Sequence, residues 1–114
     1  MSDTKERIID PHKAVDHIIE HAKIYAQAKA NRVYLEEFRK TKKAILMRSS
    51  GEKVIGNQES FAYSHPEYIA VLDGIREAVE VEERYRWEMV AAQARIEVYR
   101  SQEASKRIEY KVTL

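Results

Sequence analysis

The chain of 114 residues contains no cysteine, only three glycines and only two prolines. Without cysteine, disulfides, thiolate zinc sites and thiol catalysis are excluded, and the composition is compatible with a reducing compartment. Glycine and proline are the residues that break helices most readily. Their scarcity in a chain that is 34% charged therefore favours long helices. The length fits a single domain.

The sequence has no run of about 18 uncharged apolar residues, and the N-terminal segment MSDTKERIID lacks the apolar stretch of a signal peptide. These absences predict a cytoplasmic protein that is neither exported nor bound to a membrane. The formal net charge of +1 gives no global attraction to nucleic acid or to an acidic surface. Any such binding must come from a local excess of charge.

Two stretches of the chain carry apolar residues at spacings of three and four, which is typical of helices. Asp10 before Pro11 is a strong start signal, because the carboxylate can accept from free backbone N–H groups and proline at the first helical position loses no hydrogen bond. The first helix is predicted from Pro11 to about residue 48. The second is predicted from Pro66 to about residue 106, with His65 serving the turn or capping that helix. The segment 49–66 between them predicts a loop at which the chain reverses.

The predicted fold class is all-α, an antiparallel hairpin of two long helices over residues 11–107. A flexible N-terminal arm, residues 1–10, precedes the hairpin, and a C-terminal tail, residues 108–114, follows it. Apolar and polar residues alternate in the tail, and this period of two suits a short strand or a docking tail.

Two helices share one seam and leave their outer apolar stripes in water, so we expect the hairpin to form a homo-oligomer, as a coiled-coil-like bundle. From residue 85 onward the second helix is apolar on more than one face. The expected interface residues are Tyr85, Trp87, Met89, Val90 and Val98.

Residues 29–48 of the first helix hold seven lysines and arginines against Glu36 and Glu37, a local excess of five positive charges. Such a run can neutralise phosphates with release of counterions, and interleaved aromatic side chains can stack on unpaired bases. The alternative interpretation is that chain reversal sets residues 29–43 against the acidic segment 73–88, which neutralises part of the run. Even then, positive charge is expected to remain near the loop.

The predicted nucleic-acid contacts are basic side chains that would neutralise phosphates rather than read bases. They are Arg39, Lys40, Lys42, Lys43 and Arg48 near the loop and, as a second cluster, Arg95, Arg100, Lys106 and Arg107. Tyr34 and Phe38 are candidates for stacking if they are exposed.

The segment HIIEH, His17 to His21, matches the H-x-x-E-H pattern of inverzincin metalloproteases, in which two helical histidines hold zinc. A catalytic zinc also needs a third protein ligand in a fixed cleft, for which two helices offer little scaffold, so surface histidines are the preferred interpretation. The sequence contains no Gly-rich phosphate loop, nucleophile elbow or dinucleotide fingerprint. We therefore predict no catalytic residue, no metal, no cofactor and no enzyme activity.

The chain resembles small helical proteins of tailed phages and prophages in the stretches AKANRVYLEEFRKTKKAILM and SHPEYIAVLDGIREAVEVEERYRWEMVAAQARIEVYRSQEASKR. The resemblance covers roughly residues 12–107. A basic, aromatic-bearing first helix, a loop and a long second helix ending in a basic segment are similar to the layout of the UvsY-type recombination mediators.

The resemblance implies an oligomeric recombination accessory in the host cytoplasm that binds single-stranded DNA. It would help to load a RecA-like recombinase onto strands covered by single-strand-binding protein. The alternative is a structural coiled-coil interaction protein, such as an assembly chaperone or adaptor, that binds no DNA.

Overall fold

The structure is a computed structural model that describes residues 8–113, and every regular element within them is an α-helix. The elements are α1 (Pro11–Ser49), α2 (Ile55–Ser64) and α3 (Pro66–Thr113), which confirms the all-α prediction. Residues 1–7 of the predicted arm and Leu114 of the predicted tail lie outside the described residues. None of the three helices combines the length and the hydropathy that a membrane span requires.

Both long helices begin at a proline that follows a capping side chain. At the start of α1, the Asp10 carboxylate accepts the backbone N–H groups of His12, at 2.9 Å, and of Lys13, at 3.3 Å. At the start of α3, Nδ1 of His65 accepts the backbone N–H of Glu67 at 3.1 Å. The predicted start of α1 and the capping role of His65 are therefore confirmed.

The predicted loop 49–66 contains a helix, and this corrects the sequence interpretation. The glycine, serine and asparagine residues of α2 are poor helix formers, but their cost is at most about 1 kcal/mol each. Ala62 of α2 has no exposed surface and packs with Leu46 of α1 and Tyr68 of α3, and this packing outweighs local propensity. Just after α1, Gly51 has a φ of +72°, a left-handed conformation that glycine adopts without steric cost.

The predicted strand-like tail is also corrected, because α3 continues to Thr113 rather than ending near residue 106. Ile108, Tyr110 and Val112 are all largely exposed, so their alternation does not reflect a sheet with one buried face. After Gly74 the sequence contains no glycine or proline, so no residue there interrupts helical hydrogen bonding.

The chain packs as two compact units, each built from parts of α1 and α3. Among the described residues, unit 1 combines residues 8–24 with residues 85–113, and unit 2 comprises residues 25–84. Unit 2 also contains α2 and the buried cluster of Leu46, Ala62 and Tyr68, against which Met47 packs.

Within unit 2, ion pairs join α1 to α3 in antiparallel order. Arg32 bonds to Glu82, whereas Lys42, which comes later in α1, bonds to Glu67, which comes earlier in α3. The Arg32–Glu82 pair agrees with the alternative interpretation, in which segment 73–88 neutralises part of the basic run, whereas Glu67 lies outside that segment.

In the part of unit 1 that the structure describes, the buried residues are Ala14 and Ala92. The rings of His17 and His21 stack with their centroids 4.1 Å apart, and the His21 ring lies 6.4 Å from the ring of Tyr85. The buried alanines and the rings of His17, His21 and Tyr85 therefore contribute to the packing of unit 1.

The predicted interface residues of α3 differ in exposure. Trp87 is 59% exposed, Val90 and Val98 are also exposed, and Tyr85 and Met89 are half-buried. Unit 1 thus presents large apolar side chains to water.

Candidate nucleic-acid interface

A cavity of about 440 Å³ in unit 2 is lined by side chains from all three helices. Arg39, Lys40 and Lys43 contribute from α1, Tyr63 from α2 and Tyr68 from α3, and we call this site the three-helix cavity. The first and last of the three cations are one helical turn apart, so they lie on the same side of α1. Three predicted contact residues are thereby brought together.

Lys43 is held at the wall of this cavity by an aromatic ring. Its Nζ lies 4.7 Å from the centroid of the Tyr63 ring, within the range of a cation–π contact. A hydrogen bond with the Tyr63 side chain raises the pKa of Lys43 above its ordinary value, while desolvation acts in the opposite direction. The ammonium group is therefore charged at neutral pH and has a defined position.

The two tyrosines form the aromatic part of the cavity. Their rings meet edge to face, with centroids 5.3 Å apart and an interplanar angle of 74°. Tyr68 is only 6% exposed and belongs to the buried cluster, whereas Tyr63 is 46% exposed. The buried ring thus supports one that is accessible to a ligand.

The other predicted contact residues near the loop are placed differently. Lys42 donates a hydrogen bond to Glu67 at 3.0 Å, which holds the pKa of that carboxyl below its ordinary value. Lys40 makes a longer contact of 3.4 Å with Glu37 of its own helix, and both side chains are largely exposed. Arg48 is exposed but does not line the cavity. Of the lysines at 40, 42 and 43, only Lys42 is bound to an acid of α3.

Arg32 is the second cation of the basic run that pairs with α3. Its guanidinium donates to the Glu82 carboxylate and, at 3.0 Å, to Glu36 of its own helix. The hydrogen bond to Glu82 is the main cause that raises the pKa of Arg32. Since Glu82 is 8% exposed, this pair neutralises a nearly buried carboxylate and is not available to a ligand.

The second basic cluster does not form a single basic surface. Its members are Arg95, Arg100, Lys106 and Arg107, all exposed on α3. At about 100° of rotation per residue, Arg95 and Lys106 fall on one side of the helix and the other two on another. Arg100 also pairs with Glu97 at 3.2 Å and Lys106 with Glu103 at 3.5 Å. Acidic side chains of the same helix therefore neutralise part of the positive charge of this cluster.

The stacking candidates Tyr34 and Phe38 contact each other, with parallel rings 6.1 Å apart. Tyr34 is 64% exposed and Phe38 is half-buried, and neither lines the three-helix cavity. Sequence reasoning did not identify Tyr63 and Tyr68, because it placed Tyr63 in a loop. The available signal was a pair of tyrosines on either side of the His65–Pro66 start of α3.

The two histidines of the HIIEH segment contact each other. Nδ1 of His21 donates a hydrogen bond to the carbonyl oxygen of His17 at 2.9 Å, and the two rings stack. In the part of the chain that the structure describes, no group of three or more His, Cys, Asp or Glu residues could hold a metal ion.

Comparisons of this chain with protein-family models, with curated proteins and with solved structures give no match. The functional proposal therefore depends on the residues of the chain itself, above all on those of the three-helix cavity.

Proposed function

We propose that this protein is a phage-type recombination accessory that binds single-stranded DNA and assists the loading of a RecA-like recombinase. The observation that carries the DNA binding is the three-helix cavity, where three cations of α1 meet the rings of Tyr63 and Tyr68. Proteins that hold single strands combine cations that neutralise phosphates with rings on which bases stack. The recombination role and the recombinase partner come from the resemblance to the UvsY-type mediators.

The proposal includes a helical hairpin that assembles into a homo-oligomer in the host cytoplasm. The large exposed side chains of unit 1 support this, since Ile19 on α1 and Trp87 and Val98 on α3 leave much apolar surface in water. Burial of such surface against another copy would remove it from water.

Fluorescence anisotropy of a labelled oligonucleotide tests the DNA binding. The protein is titrated against a single strand and against a duplex of the same sequence, at several salt concentrations. We expect tighter binding to the single strand, because only unpaired bases can reach the tyrosine rings. Affinity should fall steeply with salt, since bound phosphates displace counterions. Equal binding of the two DNAs, or no binding at low salt, would contradict the proposal.

A structural coiled-coil interaction protein that binds no DNA, such as an assembly chaperone or adaptor, is the second candidate. The pairs Lys42–Glu67 and Arg32–Glu82 favour this candidate, because they neutralise lysine and arginine charge within the chain. The exposed Trp87 also suits a protein partner. Absence of binding to the single strand at low salt would favour this candidate.

A further inference from the structure

We infer that the three-helix cavity holds one nucleotide of the strand as a unit, with its phosphate between Arg39 and Lys43 and its base against the Tyr63 ring. This inference rests on the proposed function and adds the identity of the recognised unit. The ligand is a phosphorylated nucleoside rather than any run of negative charge.

Lys42 and Lys43 are held by different kinds of side chain. Lys42, the preceding residue, is held by the carboxylate of Glu67, so its charge is neutralised where it lies. Lys43 is held instead by the Tyr63 side chain, which is neutral, with Glu59 adding a weaker attraction. Its ammonium group therefore has a defined position while most of its charge is still available. A preorganised and largely uncompensated cation is what an incoming phosphate binds best.

Arg39 lies one helical turn before Lys43 and lines the same cavity. A guanidinium binds a phosphate through two parallel N–H groups, whereas an ammonium acts as a compact point charge. The pair offers both kinds of contact to one phosphate. Lys40 lines the same cavity and adds a third positive charge.

Tyr63 and Tyr68 form an aromatic wall of the cavity. Tyr68 is almost completely buried, and its edge-to-face contact fixes the ring of Tyr63. Nearly half of Tyr63 is exposed, so a base can lie against it. A volume of about 440 Å³ lies in the range of small-molecule sites, about 300–1,000 Å³, and one nucleotide is a ligand of that class.

These features separate a nucleotide site from a surface that is only basic. A basic surface attracts inorganic phosphate and nucleotide in proportion to their charge, and it treats adjacent lysines alike. A nucleotide site needs the phosphate and the base together. Thymidine 5′-monophosphate should therefore bind more tightly than either thymidine or inorganic phosphate.

The test is an NMR titration of the full chain, labelled on tyrosine rings, with thymidine 5′-monophosphate, thymidine and inorganic phosphate in turn. We expect thymidine 5′-monophosphate to shift the Tyr63 ring signals saturably and to bind at least tenfold more tightly than the other two ligands. Lys43→Gln should weaken it at least tenfold. Lys42→Gln is the matched control, because it removes the same charge from the next residue and should change the affinity less than twofold.

Binding of inorganic phosphate as tight as that of thymidine 5′-monophosphate, or equal effects of the two lysine variants, would overturn the inference. The same samples are titrated with a single-stranded oligonucleotide. Oligonucleotide binding without nucleotide binding would overturn the single-nucleotide site and leave the proposed function standing. Nucleotide binding without oligonucleotide binding would overturn the proposed function and leave a nucleotide site.

Discussion

The two units of this chain use the same two long helices in different ways. In unit 2, ion pairs cross from α1 to α3, and α2 closes a buried cluster around Ala62. In unit 1, the buried residues among those described are Ala14 and Ala92, and the pairs of Arg100 and of Lys106 each join two residues three apart on α3. Both units expose large apolar side chains, such as Trp87 and Ile19 in unit 1 and Tyr34 and Ile55 in unit 2.

This difference indicates a division of tasks. Unit 2 pairs part of the charge of α1 with acids of α3, and the third helix gives it a buried cluster and a cavity. Unit 1 leaves large apolar side chains in water, which is typical of a surface that binds a protein partner. In the account proposed above, unit 2 binds DNA and unit 1 mediates assembly.

The largest effect is expected in the core of unit 2. Leu46 is 3% exposed and packs with Ala62 and Tyr68, so Leu46→Ala should lower the free energy of unfolding by about 2–5 kcal/mol, measured by urea denaturation. The matched control is Ile45→Ala, at a preceding residue that is 49% exposed, and it should cost much less. Equal losses for the two variants would show that the buried cluster does not stabilise unit 2 specifically.

A smaller effect is expected from the exposed tryptophan of unit 1. If Trp87 is a subunit contact, Trp87→Ala should weaken self-association about tenfold or more, as aromatic anchors often do, without loss of helicity. Sedimentation velocity over a range of concentrations measures this change. The control is Ile108→Ala, another exposed apolar residue of α3, which is outside the predicted interface. An unchanged sedimentation profile for Trp87→Ala would remove this residue from the interface.

The smallest effect is a pH dependence in unit 2. Lys42 lowers the pKa of Glu67 below its ordinary value of 4.5, so their pair stabilises the fold above that value. This contribution is lost as the pH falls through the lowered pKa of the folded state. Glu67→Gln should therefore flatten the acid side of the plot of unfolding free energy against pH. The change should be slight, because Glu67 is more than half exposed and is screened by salt.

Glu37→Gln is the control for this pH dependence, since Glu37 contacts Lys40 of its own helix and both side chains are exposed. It should leave the acid side of the plot nearly unchanged. Equal flattening by Glu37→Gln and Glu67→Gln would mean that the Lys42–Glu67 pair between α1 and α3 stabilises the fold no more than the exposed Lys40–Glu37 pair within α1.

Local signals in the sequence predicted what local chemistry determines. Asp10 and Pro11 start α1, His65 caps α3, and the scarcity of helix breakers gives an all-α chain. By contrast, α2 depends on the burial of Ala62 against Leu46 of α1 and Tyr68 of α3, a packing that the helical periodicity of the segment does not reveal.

The candidate site divides in the same way. Charge counting found Arg39, Lys40 and Lys43, because a basic excess is visible in the sequence. It could not separate Lys42, which is neutralised by an acid 25 positions away, from Lys43, which is held by a tyrosine. Tyr63 was missed because its place in the cavity depends on the position of α2.

The central claim is that the three-helix cavity is where single-stranded DNA binds. The most direct test compares the salt dependence of binding by Arg39→Gln/Lys40→Gln with that of Lys13→Gln/Lys23→Gln, whose changes lie on the same helix but in unit 1 and remove the same charge. The account predicts that the slope of log affinity against log salt falls by about 0.7 for each lost phosphate contact in the cavity variant, and stays near wild type in the control. Equal slopes for the two variants, or a larger change in the control, would contradict it.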